Sequence, residues 1–530
     1  MKSAASIPIE PDPPPGSVVG TAAGASTFPL NPPVRRSSFA AVSFVSLFFG
    51  GRSFFVAGTG VVRHMLEPCG RDDAAARTGE RDRFQTGAAA APPAQSAEFA
   101  ALADSLARWA GVHGMEFRVS GEHDAWEVVL PGRAEGRSLV FVAHADVAPV
   151  DDPPTIVAAA AVPSGWSAPP FATWVRDGNL YGRGVEDDKG PIAAALVVLA
   201  ALADAGLVPD AEIVVAMGTA EEHDWDGMKR YATAAPTAAA VVSIDAEYPV
   251  VVAESGFVAW GLRVPLGDAA PDAGGPVALE LEGGLFLTQV PDAAELRLRP
   301  GEEGAEVLAA RAREALAAHR DDWAPRHGFD GEATVEEADG VPVVVLRARG
   351  RSIHASEPEA GANALWLLAA AARELSLAPG GIRTMLEILD RVFAGDDFGE
   401  RLGVAYADDG MGPLVVAPTV LRTVDGEVRL EINMRRPVGR TAEEFSATLD
   451  AAVERLRAEL GEGVEPLEDV YIGSPVQVDP TSPLVQTLLE VYRAVAEAPD
   501  AQPVAVRGGT YARLFPGAVR AVELEDVVWF

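Results

Sequence analysis

Apolar positions along the chain change their period several times, and those changes mark out an α/β protein. Phe99 to Gly111 repeats apolar side chains at helical spacing, whereas Trp126 to Leu130 and Ser138 to Ala143 are short apolar runs that predict strands. His144 follows the second strand directly. Pro191 opens an apolar helix that runs to Ala205 with Gly206 as its stop, and Ile213 to Met217 predicts a buried strand leading into Glu221 and Glu222. Val241 to Ile244 predicts another strand, ending at Asp245. Three separate strands thus each end in an imidazole or a carboxylate, at the sheet edge where open α/β folds place their ligands.

Beyond Gly256 such clusters stop and a second, mixed α/β pattern begins. It predicts a helix from Gly304 to Arg320, a strand from Val341 to Ala348, a helix from Gly361 to Leu375 and a strand from Val428 to Met434. Thr441 with Glu444 forms a capping-box signature before a helix from Ala442 to Leu460, which Gly461 ends. Gly473 and Pro475 mark a return to the first unit, Leu484 to Glu497 is helical, and Arg507-Gly508-Gly509-Thr510-Tyr511-Ala512-Arg513 is a glycine-rich loop. No internal repeat is present.

With 530 residues the chain exceeds what one simple core serves, so two structured units plus an appendage are expected. A formal charge of -34 argues against nucleic acid or an acidic membrane as partner, since phosphates would be repelled. Small-molecule or peptide chemistry fits better. The one cysteine, Cys69, excludes an internal disulfide and a thiolate metal cluster, so any metal must sit on His and carboxylates. Pro11 to Pro15 and Pro29 to Pro33 lie in Pro/Gly/Ala-rich sequence that predicts disorder. Arg35-Arg36 and the apolar run Phe39 to Phe49 look like a twin-arginine export signal; Gly50, Gly51 and Arg52 interrupt the run before the ~20 apolar residues a bilayer span needs. The expected location is cytoplasmic, with export by this N-terminus as the alternative and no membrane partner.

Chemistry concentrates in five segments: His144-Ala145-Asp146, Gly182 to Gly190 with Asp187-Asp188, Glu221-Glu222, Asp245, and His354 in Ser352-Ile353-His354-Ala355-Ser356. Borderline dications need imidazole and carboxylate ligands, and hydrolysis needs one carboxylate left free as a base. Each alone has a bland reading: His144 as a structural histidine, Glu221-Glu222 as a solvated pair, Asp187-Asp188 as a turn. Their order along the chain favours a site.

Read together with Gly165-Trp166, Pro169-Pro170-Phe171, Tyr181-Gly182-Arg183-Gly184, Asp187-Asp188-Lys189-Gly190-Pro191, Asp245-Ala246-Glu247-Tyr248-Pro249, Pro358, Gly361, Asn363-Ala364 and Gly508-Gly509-Thr510-Tyr511-Ala512-Arg513, these segments resemble metallopeptidase family 20. This is the zinc aminoacylase/carboxypeptidase group, and within it the phrases resemble the Xaa-His dipeptidase, PepV/carnosinase-like branch. The likeness covers about Ala97 to Arg513. It implies a zinc-peptidase-like α/β catalytic domain, a mixed sheet flanked by helices, interrupted by an inserted α+β lid domain. Residues 1–95 would be a disordered or leader-like extension, 96–254 the first part of the catalytic domain, 255–467 the lid, and 468–530 the second, C-terminally incomplete part.

The resemblance also implies roles. His144 and Asp245 would bind one zinc, Asp187 would bridge two ions, and Glu222 would bind the second. Asp146 would orient His144, Glu221 would be the general base, and the Asp187-Asp188 bond would be cis. His354 from the lid would donate to the oxyanion; Arg435 would clamp the substrate's C-terminal carboxylate, with Arg436 as rival; Gly508, Gly509 and Thr510 would bind substrate through backbone donors. The implied reaction is hydrolysis of Xaa-His-type dipeptides or similar short peptides by a metal-bridged water. The alternatives are an N-acyl amino acid deacylase or carboxypeptidase of the same family, or an impaired peptide-binding relative. A monomer is implied.

One departure stands out. The family carries a late histidine that completes the second metal site, whereas the last of the eight histidines here is His354 and residues Arg520 to Phe530 do not resemble the family ending. One firmly bound zinc and a weaker second are therefore expected.

Overall fold

The computed structural model describes residues 97–515 apart from 135, 149–167, 171–173, 177–178, 235–237 and 268–274, together with the short strands Ile7–Pro8, Leu47–Phe49, Arg52–Phe54 and Val528–Trp529. The Arg35-Arg36 motif, Cys69, Gly165-Trp166 and Phe171 lie outside the described residues. Glu247–Gly509 forms one compact unit; the other is built from the described residues before Glu247 and from Thr510 onward. Sheets flanked by helices occur in both, the α/β class expected from the sequence. Among the described residues no helix is long and apolar enough to cross a membrane.

In the first unit, helix α1 (Ala97–Val112) precedes strands β1 (Glu116–Ser120), β2 (Ala125–Leu130) and β3 (Ser138–His144). A short hairpin, β4 (Trp174–Arg176) and β5 (Asn179–Tyr181), holds Trp174 stacked on Tyr181 with ring centroids 4.2 Å apart. Helix α2 (Lys189–Asp204), strand β6 (Glu212–Gly218), helix α3 (Asp226–Ala234) and strand β7 (Ala240–Ser243) follow. The sheet order is β7-β3-β6-β2-β1. β7 and β6 run parallel to β3, and β2 runs antiparallel to β6. Three neighbouring strands therefore deliver their carboxyl ends to one edge, where His144 is level with Gly218.

Packing fixes that edge. Leu102, Leu106 and Ala110 on α1 and Ile192, Leu196 and Leu199 on α2 share a core with Trp126, Val128, Val215 and Met217. Each fully buried Leu or Ile side chain contributes about 1.5–3 kcal/mol. α2 begins at Lys189, two residues before the Pro191 expected to open it, with Asp188 as its N-cap. Pro191 fits at the third helical position because the N–H groups of a first turn have no partner inside the helix.

The second unit is organised on strands β8 (Val251–Glu254), β9 (Gly256–Pro265), β10 (Val277–Gly283), β11 (Ala293–Arg299), β12 (Asp330–Ala338), β13 (Val341–Arg349), β14 (Val415–Val424) and β15 (Glu427–Arg436). Apart from β8 they form one antiparallel sheet of order β12-β13-β11-β10-β14-β15-β9. Helices α4 (Ala305–His319), α5 (Ala364–Arg373), α6 (Gly381–Ile388) and α7 (Ala442–Leu460) share its apolar core. The stretch expected to be helical from Gly361 to Leu375 follows a 3-10 turn at Pro358–Ala360, enters α5 only after Asn363 and leaves it at Arg373. Asn363 Oδ1 accepts from Leu365 N–H at 3.1 Å, satisfying a donor that the helix leaves open.

Candidate metal centre and active site

His144 closes β3 and is fully buried. Its Nδ1 lies 3.1 Å from the carbonyl of Asp146 and 3.3 Å from the Asp146 carboxylate; Nε2 faces Asp187 Oδ1 at 2.9 Å and Asp245 Oδ2 at 3.9 Å. The Asp146 carboxylate also accepts the backbone N–H of Glu221 on one oxygen and that of Glu222 on the other, both at 3.0 Å. One side chain thus bears on the imidazole and braces the acidic pair beyond β6.

Asp187 and Asp188 are joined by a cis peptide, as the family likeness implied. Asp188 Oδ2 accepts the His144 backbone N–H at 3.1 Å, while Oδ1 is buried with no hydrogen-bond partner. Two ligand sets emerge, each with its donor atoms within 4.8 Å of one another: His144, Asp188 and Asp245, and His144, Asp187 and Glu222. Asp188 was assigned no binding role from sequence. The only signal for it was its place beside Asp187, which by itself also suits a turn.

A buried imidazole among four carboxylates, one of them holding an orphaned oxygen, is the donor chemistry of a hard or borderline dication. The electrostatics agree. Burial pushes Asp188 well above the ordinary carboxyl range, and the nearby Asp245 charge adds to the rise. Burial also pushes Glu221 well up; His144 opposes the rise, while Asp245, Glu222 and Asp146 reinforce it. Burial would lower His144, yet its contacts with Asp146 and Asp187 hold it well above the usual value. Burial would raise Asp146, but the His144 hydrogen bond and the two amides keep it low. A positive charge near Nε2, on the imidazole or on a bound cation, would offset the carboxylates gathered there.

Glu221 is anchored from behind, its carbonyl accepting Trp225 Nε1–H at 2.9 Å. Trp225 meets Tyr511 edge-on with centroids 5.4 Å apart, and Tyr511 is buried against Gly218. Thr510 sits just before it, its hydroxyl accepting from Ala512 N–H at 3.2 Å. His223, beside the acidic pair, is exposed.

The second unit holds the remaining candidates. His354 Nδ1 lies 2.6 Å from Ser356 Oγ. Arg435, on β15, is buried over the Phe257 ring at 4.9 Å; its Nε donates to Asn433 Oδ1 at 3.1 Å and its Nη1 to the Arg507 carbonyl at 3.3 Å. Arg436 is buried too, donating to the carbonyls of Gly473 at 2.8 Å and Arg440 at 2.7 Å. Its guanidinium is thus engaged by backbone. A Cβ at Gly508 would meet nothing within 4 Å, so the loop backbone there is open, and Gly509 follows it.

The profile of peptidase family M20/M25/M40 matches residues 140–530. A putative dipeptidase, YtjP, of Bacillus subtilis is 31% identical over 406 residues, covering 74% of this chain and 79% of the relative. A Beta-Ala-Xaa dipeptidase of Lactobacillus delbrueckii subsp. lactis is 28% identical over 397 residues, 73% of this chain and 74% of the relative. Among solved structures, human carnosine dipeptidase 1 superimposes with a TM-score of 0.45 at 13% identity over 89% of each chain.

Proposed function

The chain belongs to peptidase family M20/M25/M40 and is a hydrolase, and from that premise we propose that it cleaves the amide bond of dipeptides of the Xaa-His type, or of similar short peptides. The observation that carries this reading is the Asp146 carboxylate, which contacts His144 and accepts both the Glu221 and Glu222 amides. A carboxylate spent on orienting a metal-ligand imidazole and a base together has no comparable use in a purely structural cluster.

In this reading His144, Asp187, Asp188, Glu222 and Asp245 are the residues that would hold divalent ions, two zinc ions being proposed, with the Glu222 side the weaker. When bound, such ions supply Lewis acidity to the scissile carbonyl and to water. Glu221 takes a proton from the attacking water and returns it to the departing amine. Its raised affinity for a proton suits an acid-base role near neutral pH. His354 donates to the developing oxyanion, Arg435 binds the substrate carboxylate, and the Gly508-Gly509-Thr510 backbone adds donors. We propose a monomeric enzyme located in the cytoplasm. The names of the relatives, a Beta-Ala-Xaa dipeptidase among them, support a dipeptide over an N-acyl amino acid.

Turnover of Xaa-His and β-Ala-Xaa dipeptides, compared with N-acyl amino acids, tests the substrate class. Faster cleavage of the N-acyl amino acids would replace the dipeptidase reading with the deacylase one. Glu221→Gln should lower kcat by at least about 100-fold with bound metal unchanged. A retained rate would remove Glu221 from the mechanism.

A further inference from the structure

The loop that carries His354 and the strand that carries Arg435 are tied together by one residue with no role in the mechanism above, through its side chain on one side and its backbone carbonyl on the other. Arg507 Nη1 donates to the Ser356 carbonyl at 3.1 Å and to Glu359 Oε1 at 2.6 Å. The carbonyl of the same Arg507 accepts from Arg435 Nη1 at 3.3 Å. Gly508 and Gly509 follow it in the chain. Arg507 is therefore the junction of three substrate-facing candidates: the histidine loop, the carboxylate clamp and the glycine-rich backbone.

Its anchor acts on His354 through Ser356. The Ser356 backbone N–H lies 3.2 Å from His354 Nδ1, and the Ser356 hydroxyl lies 2.6 Å from the same nitrogen. A backbone amide can only donate, so Nδ1 is the acceptor and the neutral ring keeps its proton on Nε2. Nε2–H is the donor that an oxyanion requires. The other Glu359 oxygen is buried without a hydrogen-bond partner, so Arg507 is what satisfies that carboxylate. A bidentate-capable guanidinium held this way is a fixed point rather than a solvated charge.

We propose that Arg507 is a positioning residue that sets the spacing between the His354 donor and the Arg435 clamp, and so limits substrates to those with a single residue between the scissile carbonyl and the C-terminal carboxylate. This rests on the functional reading above, in which His354 meets the oxyanion and Arg435 the carboxylate. Loosening the junction should blur length selection, not merely slow the enzyme.

The test compares kcat/KM for a dipeptide and for the tripeptide one residue longer at its C-terminus, in the metal-loaded full chain. Arg507→Gln should lower the dipeptide value by about 10- to 100-fold, the range for losing a supporting contact to a functional group, while the tripeptide value changes by less than about threefold. Arg507→Lys, which keeps one charged donor, should recover part of the ratio. Because Arg507→Gln leaves the half-buried Glu359 carboxylate without its cation, the Glu359→Gln/Arg507→Gln double variant is measured beside it and should show the same collapse of the ratio. A folded double variant with an unchanged dipeptide-to-tripeptide ratio would overturn the proposal. His354→Ala and Arg435→Ala serve as the control: if neither lowers dipeptide turnover, the functional reading itself fails; if both do and the Arg507 variants do not, only the spacing role fails.

Discussion

Gly218 shows how a single missing side chain shapes the candidate site. A Cβ there would lie 2.8 Å from Cζ and 2.9 Å from the hydroxyl of Tyr511, whose ring is buried. Burial, together with the Asp146 and Glu221 charges, holds the phenol protonated far above its ordinary range. Gly218→Ala should therefore push Tyr511 and the Glu221 turn apart, costing about 1–3 kcal/mol in a thermal melt. An unchanged melting temperature would mean that the ring moves aside freely. This contact was invisible in the sequence, because nothing local links a strand-ending glycine to a tyrosine near the far end of the chain. By contrast, His144, Asp187, Glu222 and Asp245 could be picked out because each follows a recognisable strand or motif, and the structure brings them together.

At the scale of elements, local chemistry was read most reliably where it has a fixed spacing. Thr441 and Glu444 form the expected reciprocal cap, with Thr441 N–H donating to Glu444 Oε2 at 2.8 Å and Glu444 N–H to Thr441 Oγ1 at 3.2 Å. Thr441→Ala should cost about 1 kcal/mol, read as a lower denaturation midpoint with unchanged slope. Most of the antiparallel sheet was missed, although its strands alternate. In β11, Glu295 and Arg297 alternate with buried Leu296 and Leu298, and the charged face pairs across strands: Arg347 Nε donates to Glu295 at 2.8 Å and Arg347 Nη2 to Glu336 at 2.7 Å. A search for continuous apolar runs passes over such strands, whereas the two-residue period identifies them. The start of α2 was misplaced for the opposite reason: Pro191 is a strong marker, but a first turn has room for it at more than one position.

For the molecule as a whole, acidity is the governing property. With 77 acidic against 43 basic residues, the chain adds a buried carboxylate cluster to an already repulsive charge, so metal and pH should act on the same free energy. Asp188 and Glu221 bind protons more tightly when folded than at their ordinary values of 3.8 and 4.5, and His144 more tightly than at 6.5. Their stabilisation is complete below those values and is lost as pH rises through the elevated folded ones; Asp146, held low, works the other way. Chelator-stripped protein should therefore melt at a lower temperature near pH 8 than near pH 5; the gain on adding zinc should be about 2.7 kcal/mol at a hundredfold excess over Kd, and at one fixed zinc concentration it should be larger at the higher pH, where protons compete less for the ligands. A stripped protein that melts higher near pH 8, or a zinc gain independent of pH, would show that the cluster is not what the cation neutralises. The double duty of Asp146 gives this arrangement little tolerance for gradual decay. Lengthening that side chain by one methylene should displace an imidazole and two glutamates in a single stroke, so that on the proposed mechanism cation capture and proton shuttling would vanish together while the strands beneath them persist, leaving an inert scaffold.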